Sequence, residues 1–168
     1  MLAVFVGVLA VAGVAQTALD DKVIVPGVRI GKWTLQMSLD DLDKMNGPAT
    51  VYQVENADYR SPHFLFHAWS SLDFAAGAYQ PRKVGWFAVG FSYALVPWRT
   101  QQGISFQSNR ADVLKIYGRP SAETVPRAGR KNMIYDAIGI SFEVYDTGGN
   151  ITEMRIFRPG TARNIWKI

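Results

Sequence analysis

Two short stretches about 70 residues apart carry the same helix start and stop signals, and that duplication constrains the fold more than any other feature. In the first stretch Ser38 stands at the N-cap and Asp41 follows three residues later; in the second, Asn109 and Asp112 hold those places. A short polar side chain accepts the orphan amide hydrogens of the first turn, and an acid is favoured at the positive helix end. Apolar residues then correspond, Leu42 with Val113 and Met45 with Ile116. Gly47 and Gly118 stop the helices, with Pro48 and Pro120 beyond them. Glycine permits a left-handed exit and proline prevents continuation. Each helix has room for about two turns, too few hydrogen bonds to offset nucleation in isolation. Such a helix requires a sheet to lie on.

Strands are predicted after each helix. Asn132–Ala137 and Ile140–Tyr145 read as two strands joined near Gly139, the second placing Ile140, Phe142 and Val144 on one face. The loop from Asp146 to Asn150 is rich in residues that tolerate positive φ, and Ile151–Phe157 supplies a third strand that Pro159 ends. Earlier in the chain, His67–Phe74 aligns without gaps on Tyr135–Phe142, and Val84–Ser92 reads as the matching third strand. The segments before the helices, Pro26–Gly31 and Thr100–Ile104, also correspond. The expected fold class is therefore α+β: two tandem units, each a short helix region packed on an antiparallel β-meander. The boundaries are 1–15 for a signal peptide, 23–97 and 98–160 for the two units, and 161–168 for a C-terminal tail. No low-complexity linker separates the units, so they are expected to pack on one another.

Met1 to Ala15 carry no charge and are almost all apolar. A bilayer span needs about 20 such residues, so the stretch fits the apolar region of a secretory signal instead. Gly13 and Ala15 place small residues before a cut at Gln16, although no Lys or Arg follows Met1. The expected location is periplasmic or secreted, with an uncleaved N-terminal anchor or a buried strand as alternatives. The mature chain is expected to have no transmembrane span. The absence of Cys excludes disulfides, thiol nucleophiles, cysteine metal sites and lipid attachment through Cys. The net charge of +4 falls entirely after residue 100, where the cations are scattered without a dense run. No nucleic-acid partner is expected, because no basic cluster or exposed-aromatic motif accompanies them.

The pattern of Gly-Ile, a short capped helix ending in glycine and proline, then Tyr135, Gly139-Ile140, Phe142 and a last strand resembles the small lipoproteins of the bacterial outer-membrane assembly machinery. Its doubling is similar to the tandem units of the beta-lactamase-inhibitory-protein family. The resemblance covers roughly residues 24–160. It implies an α+β fold and binding of other proteins through an exposed sheet. The chain departs from both groups: it has neither the lipoprotein Cys nor disulfides, and no inhibitory loop matches.

Aromatic density gives the only functional colour. Trp69, Trp86, Phe87, Phe91, Tyr93 and Trp98 crowd the first unit's sheet. Regular alternation puts Trp86 on the face opposite Phe87, Phe91 and Tyr93. Trp69, Trp86, Phe87, Phe91 and Tyr93 are the candidate binding residues for a protein partner, because Trp and Tyr are favoured as interface anchors. The alternative is that these rings pack internally. A second functional alternative is a pocket between the units for a small molecule or an envelope polymer.

No catalytic residue, metal site or cofactor is expected. His63 and His67, with Asp58 or Asp73, would make a metal set only on a helix; Phe64-Leu65-Phe66 reads as a strand. Residues four apart on a strand are separated by more than about 10 Å. Gly90-Phe91-Ser92-Tyr93-Ala94 echoes a hydrolase elbow, but both histidines precede Ser92 and no helix start follows. Asp40, Asp41 and Asp43 are accounted for by the helix they begin. Asn150-Ile151-Thr152 matches a glycosylation sequon and reads as a hairpin turn.

Overall fold

A computed structural model of the chain describes residues 21–55, 63–69, 74–80, 83–90 and 97–168. The predicted signal segment Met1 to Ala15 lies outside the described residues, as do Asp58, Asp73, Phe91, Ser92 and Tyr93.

Both predicted helices form. Helix α1 spans Leu39–Asn46 and α2 spans Arg110–Tyr117. Ser38 Oγ accepts the Asp41 amide at 3.1 Å, and the Asp41 carboxylate accepts the Ser38 amide at 3.0 Å. The Ser38 amide and then the Ser38 hydroxyl, both donating to the carboxylate, hold the Asp41 carboxyl below the usual carboxylate range. Asn109 Oδ1 accepts from Ala111 and Asp112, while Asp112 accepts the Asn109 amide at 2.9 Å. Gly118 closes α2 by donating to the Leu114 carbonyl at 2.9 Å. Leu42 and Val113 are buried as their matched positions require, whereas Met45 and Ile116 stay exposed.

The described residues are mixed α and β, and mostly sheet. A small sheet joins β1 (Val23–Val25), β2 (Arg29–Ile30), β3 (Trp33–Thr34) and β8 (Arg99–Thr100) in the order β3-β2-β1-β8. β1 and β8 run parallel, pairing Val23 with Arg99 and Ile24 with Thr100, so the residues just ahead of the first lead-in segment meet the start of the second. Arg29 donates to both carboxylate oxygens of Asp21, which lowers the Asp21 pKa to about 2 and fixes the start of β1.

The large sheet contains β4 (Thr50–Glu55), β5 (His63–Trp69), β6 (Phe74–Gln80), β7 (Lys83–Val89), β9 (Ala122–Thr124), β10 (Arg130–Tyr135), β11 (Ile140–Tyr145) and β12 (Ile151–Phe157). Its order is β4-β5-β6-β7-β12-β11-β10-β9, so the strands run in chain order from each outer edge to the centre. Two antiparallel meanders abut at β7 and β12, where Trp86 faces Phe157 and Phe87 faces Ile156. Each meander has four strands rather than the three read from sequence, because β4 and β9 add an outer strand to each. The middle hairpins also differ from the ungapped match. Trp69 and Tyr135 end their strands, and Phe74 and Ile140 begin the next, which moves the correspondence by two residues.

The first face of the sheet carries Trp69, Phe74, Phe87, Met133, Phe142 and Ile156, packed against Leu42, Val113 and the small sheet's Ile24, Ile30 and Trp33. The second face carries Ala75, Trp86, Ala88, Ile134 and Phe157. Helix α3 (Ala162–Ile165) and Trp166 cover it. Residues 161–168, expected as a tail, are thus in part a lid on the core.

Trp86 finds room because its cross-strand partner is Gly77 and its neighbours on that face include Ala75 and Ala88. The indole lies directly across Gly77, where any Cβ would overlap the ring. Gly77→Ala should therefore destabilise the chain by about 2–3 kcal/mol through overpacking. Chemical denaturation of the variant, alone and combined with Trp86→Leu, checks this. The smaller partner should restore part of the loss, and a neutral single variant would contradict the contact.

Candidate functional site

Three of the five aromatic residues proposed for binding are described, and all three are inside the fold. Trp69 is 4% exposed, while Trp86 and Phe87 are fully buried. Trp86 and Phe87 do lie on opposite faces, but each face is covered from within the chain. The aromatic contact surface expected from sequence is therefore not an exposed face among the described residues. Phe91 and Tyr93 lie outside the described residues.

Trp69 instead ties a helix to the sheet. Its indole N–H donates to the Gly47 carbonyl at 2.8 Å, just past the end of α1. Tyr135 does the same in the second half, its hydroxyl donating to the Gly118 carbonyl at 2.9 Å. Burial pushes the Tyr135 hydroxyl pKa up to about 12, so it stays a donor throughout the ordinary pH range. Both aromatics end the second strand of their meander and both serve the glycine that stops their helix.

The second face holds a buried ionic network that the sequence did not announce. Glu143 and Glu153 are cross-strand partners on β11 and β12, an unfavourable pairing of like charges. Cations compensate them. Glu143 accepts from Arg127 at 2.8 Å, lies 3.5 Å from Arg130, and receives the Thr152 hydroxyl at 3.0 Å. Glu153 is paired with Arg155. The Arg155 guanidinium lies 4.2 Å from the Trp86 ring centre and 5.5 Å from that of Trp166. Burial raises the Glu153 pKa, and the Arg155 charge opposes that rise. Two carboxylates in unlike settings can divide acid and base roles. Here each carboxylate is held by a cation, Glu143 by Arg127 and Arg130 and Glu153 by Arg155, whose guanidinium also lies against the indoles. The network's sequence signal, polar residues alternating with the apolar face of β11 and β12, reads equally well as a solvated surface.

An accessible concavity lies elsewhere. Arg110, Leu114, Arg119, Pro120, Ser121, Ala122 and Glu123 line an open groove of about 550 Å³ between α2 and β9. It sits at one edge of the large sheet, not between the two halves. Arg110 donates to Glu123 at 2.7 Å across it, and Arg119 is exposed on its rim. No reading of the sequence singled out these residues; they come together only because β9 returns beside α2.

His63 and His67 fall on β5, as the strand reading required. Among the described residues no group of three metal-ligating side chains forms. Comparison with protein-family models, with curated proteins and with solved structures returns no match. Among the described residues, no helix is long and apolar enough to cross a membrane.

Proposed function

We propose that this chain is a non-enzymatic protein-binding module that works outside the cytoplasm, built as two α+β units in tandem. The matched latches favour the tandem reading: Trp69 to Gly47 and Tyr135 to Gly118 repeat one contact between a strand end and a helix stop. The inward strand order on either side of the β7–β12 seam agrees with it. The apolar run from Met1 to Ala15 supports export, to the periplasm or the medium.

The observation that carries the binding role is the open groove beside an edge strand. An edge strand presents backbone donors and acceptors to whatever lies alongside, and recognition modules use such edges to take up extended segments. Exposed apolar residues stand near both sheet edges, Val51 on β4 and Val125 just beyond β9. Photo-crosslinking in the native host tests the role, with Val51, Arg119 and Val125 each replaced in turn by a photoreactive residue. A discrete protein adduct at one position, absent at the others, is the expected result. No adduct at any of the three would overturn the binding reading.

A further inference from the structure

The groove between α2 and β9 points to a partner of definite chemistry. Resting on the module reading above, we infer that it takes an extended peptide segment with acidic side chains at alternate positions, added as a strand alongside β9. Three features of the groove combine in this. The first is the edge: β9 pairs with β10 on one side, and among the described residues no strand lies on its other side. The second is shape. Helix α2 flanks the same edge, and Leu114, Pro120 and Ala122 give the groove apolar surface that one side chain of an added strand would cover.

The third feature is charge. The groove is lined by two guanidiniums, Arg110 and Arg119, against one carboxylate, Glu123. Glu123 is taken up by Arg110 at 2.7 Å, and Arg119 makes no ion pair among the described residues. Alternate residues of a strand point to one side, so acids at every second position would all face this rim while the residues between them face away. Guanidinium and carboxylate match in geometry as well as in sign. A phosphate backbone fits less well, because two arginines in a short groove do not make a basic track.

The test uses the full chain, isotopically labelled, and amide NMR spectra during titration with a blocked Glu-Val-Glu-Val-Glu peptide. A Lys-Val-Lys-Val-Lys peptide is the control. The acidic peptide should move the amides of Arg119 and Ser121 to Thr124, and the basic one should not. Arg119→Glu, an exposed substitution that leaves the core untouched, should weaken binding about tenfold. The inference is overturned if the acidic peptide leaves these amides in place, if both peptides move them alike, or if Arg119→Glu binds as well as wild type. Should the peptide fail while crosslinking at position 51 captures a protein, the acidic-strand inference falls and the module reading stands. Should both fail, both fall.

Discussion

Replacing Trp166 with alanine should lower the unfolding free energy by about 3–5 kcal/mol, the range for truncating a fully buried large side chain. The residue sits near the end of a short segment that looks dispensable in sequence. In the fold its ring meets Phe157 edge-on at 5.2 Å between centres and lies near the Arg155 guanidinium. It also helps cover Trp86, Ile134 and Ala88, side chains that line the second face of the central strands. Removing the ring admits water to the β7–β12 seam from that side. Urea unfolding measures the effect, with Lys167→Ala as an exposed neighbour expected to stay within about 0.5 kcal/mol of wild type. A Trp166→Ala loss below 1 kcal/mol would mean that the segment does not cover the sheet.

Arg155→Met should cost a comparable amount near neutral pH, about 3–5 kcal/mol, because it leaves Glu153 buried without its cation. The sign of the pH dependence follows from burial. Glu153 has a pKa raised above its ordinary 4.5, so the folded chain holds that proton to higher pH than the unfolded chain does. Stability tied to this group is greatest below 4.5 and falls as pH rises from there through the folded value. Without Arg155 the folded value rises further and the loss grows. The variant should therefore lie closest to wild type at pH 4 and farthest from it at pH 7. Arg155→Met with Glu153→Gln should recover part of the deficit at pH 7 and flatten the slope. A cost independent of pH, or a double variant no better than the single, would show that Arg155 acts by packing on Trp86 alone.

These two residues also mark where the sequence stops being informative. The helices were legible because their signals are local: Ser38 with Asp41, Asn109 with Asp112, and a glycine at each end all act within a few residues. The β10–β12 meander was legible for the same reason, through alternation in Ile140–Tyr145 and the turn chemistry from Asp146 to Asn150. β9 escaped notice because three residues carry no period, and β4 because an edge strand with Val51 exposed need not show two distinct faces. Residues 162–165 form a single turn, too short for a helical pattern, and the burial of Trp166 depends on contacts with strands far away in the chain. Glu143, Glu153 and Arg155 read as a polar outer face, since nothing local shows that arginines and indoles will meet them there. The groove was invisible on the same ground. Arg110, Arg119 and Glu123 are ordinary surface charges until β9 folds back beside α2.

The shared core and the cover that α3 and Trp166 give the second face both pass through the seam where the two meanders join, because both depend on β7 lying against β12. Interstrand proton contacts in the NMR spectrum of the labelled chain read that seam directly. The account predicts backbone cross-peaks linking Phe87 with Ile156 and Trp86 with Phe157. Spectra in which each meander shows only its own internal contacts, with none between Lys83–Val89 and Ile151–Phe157, would contradict it.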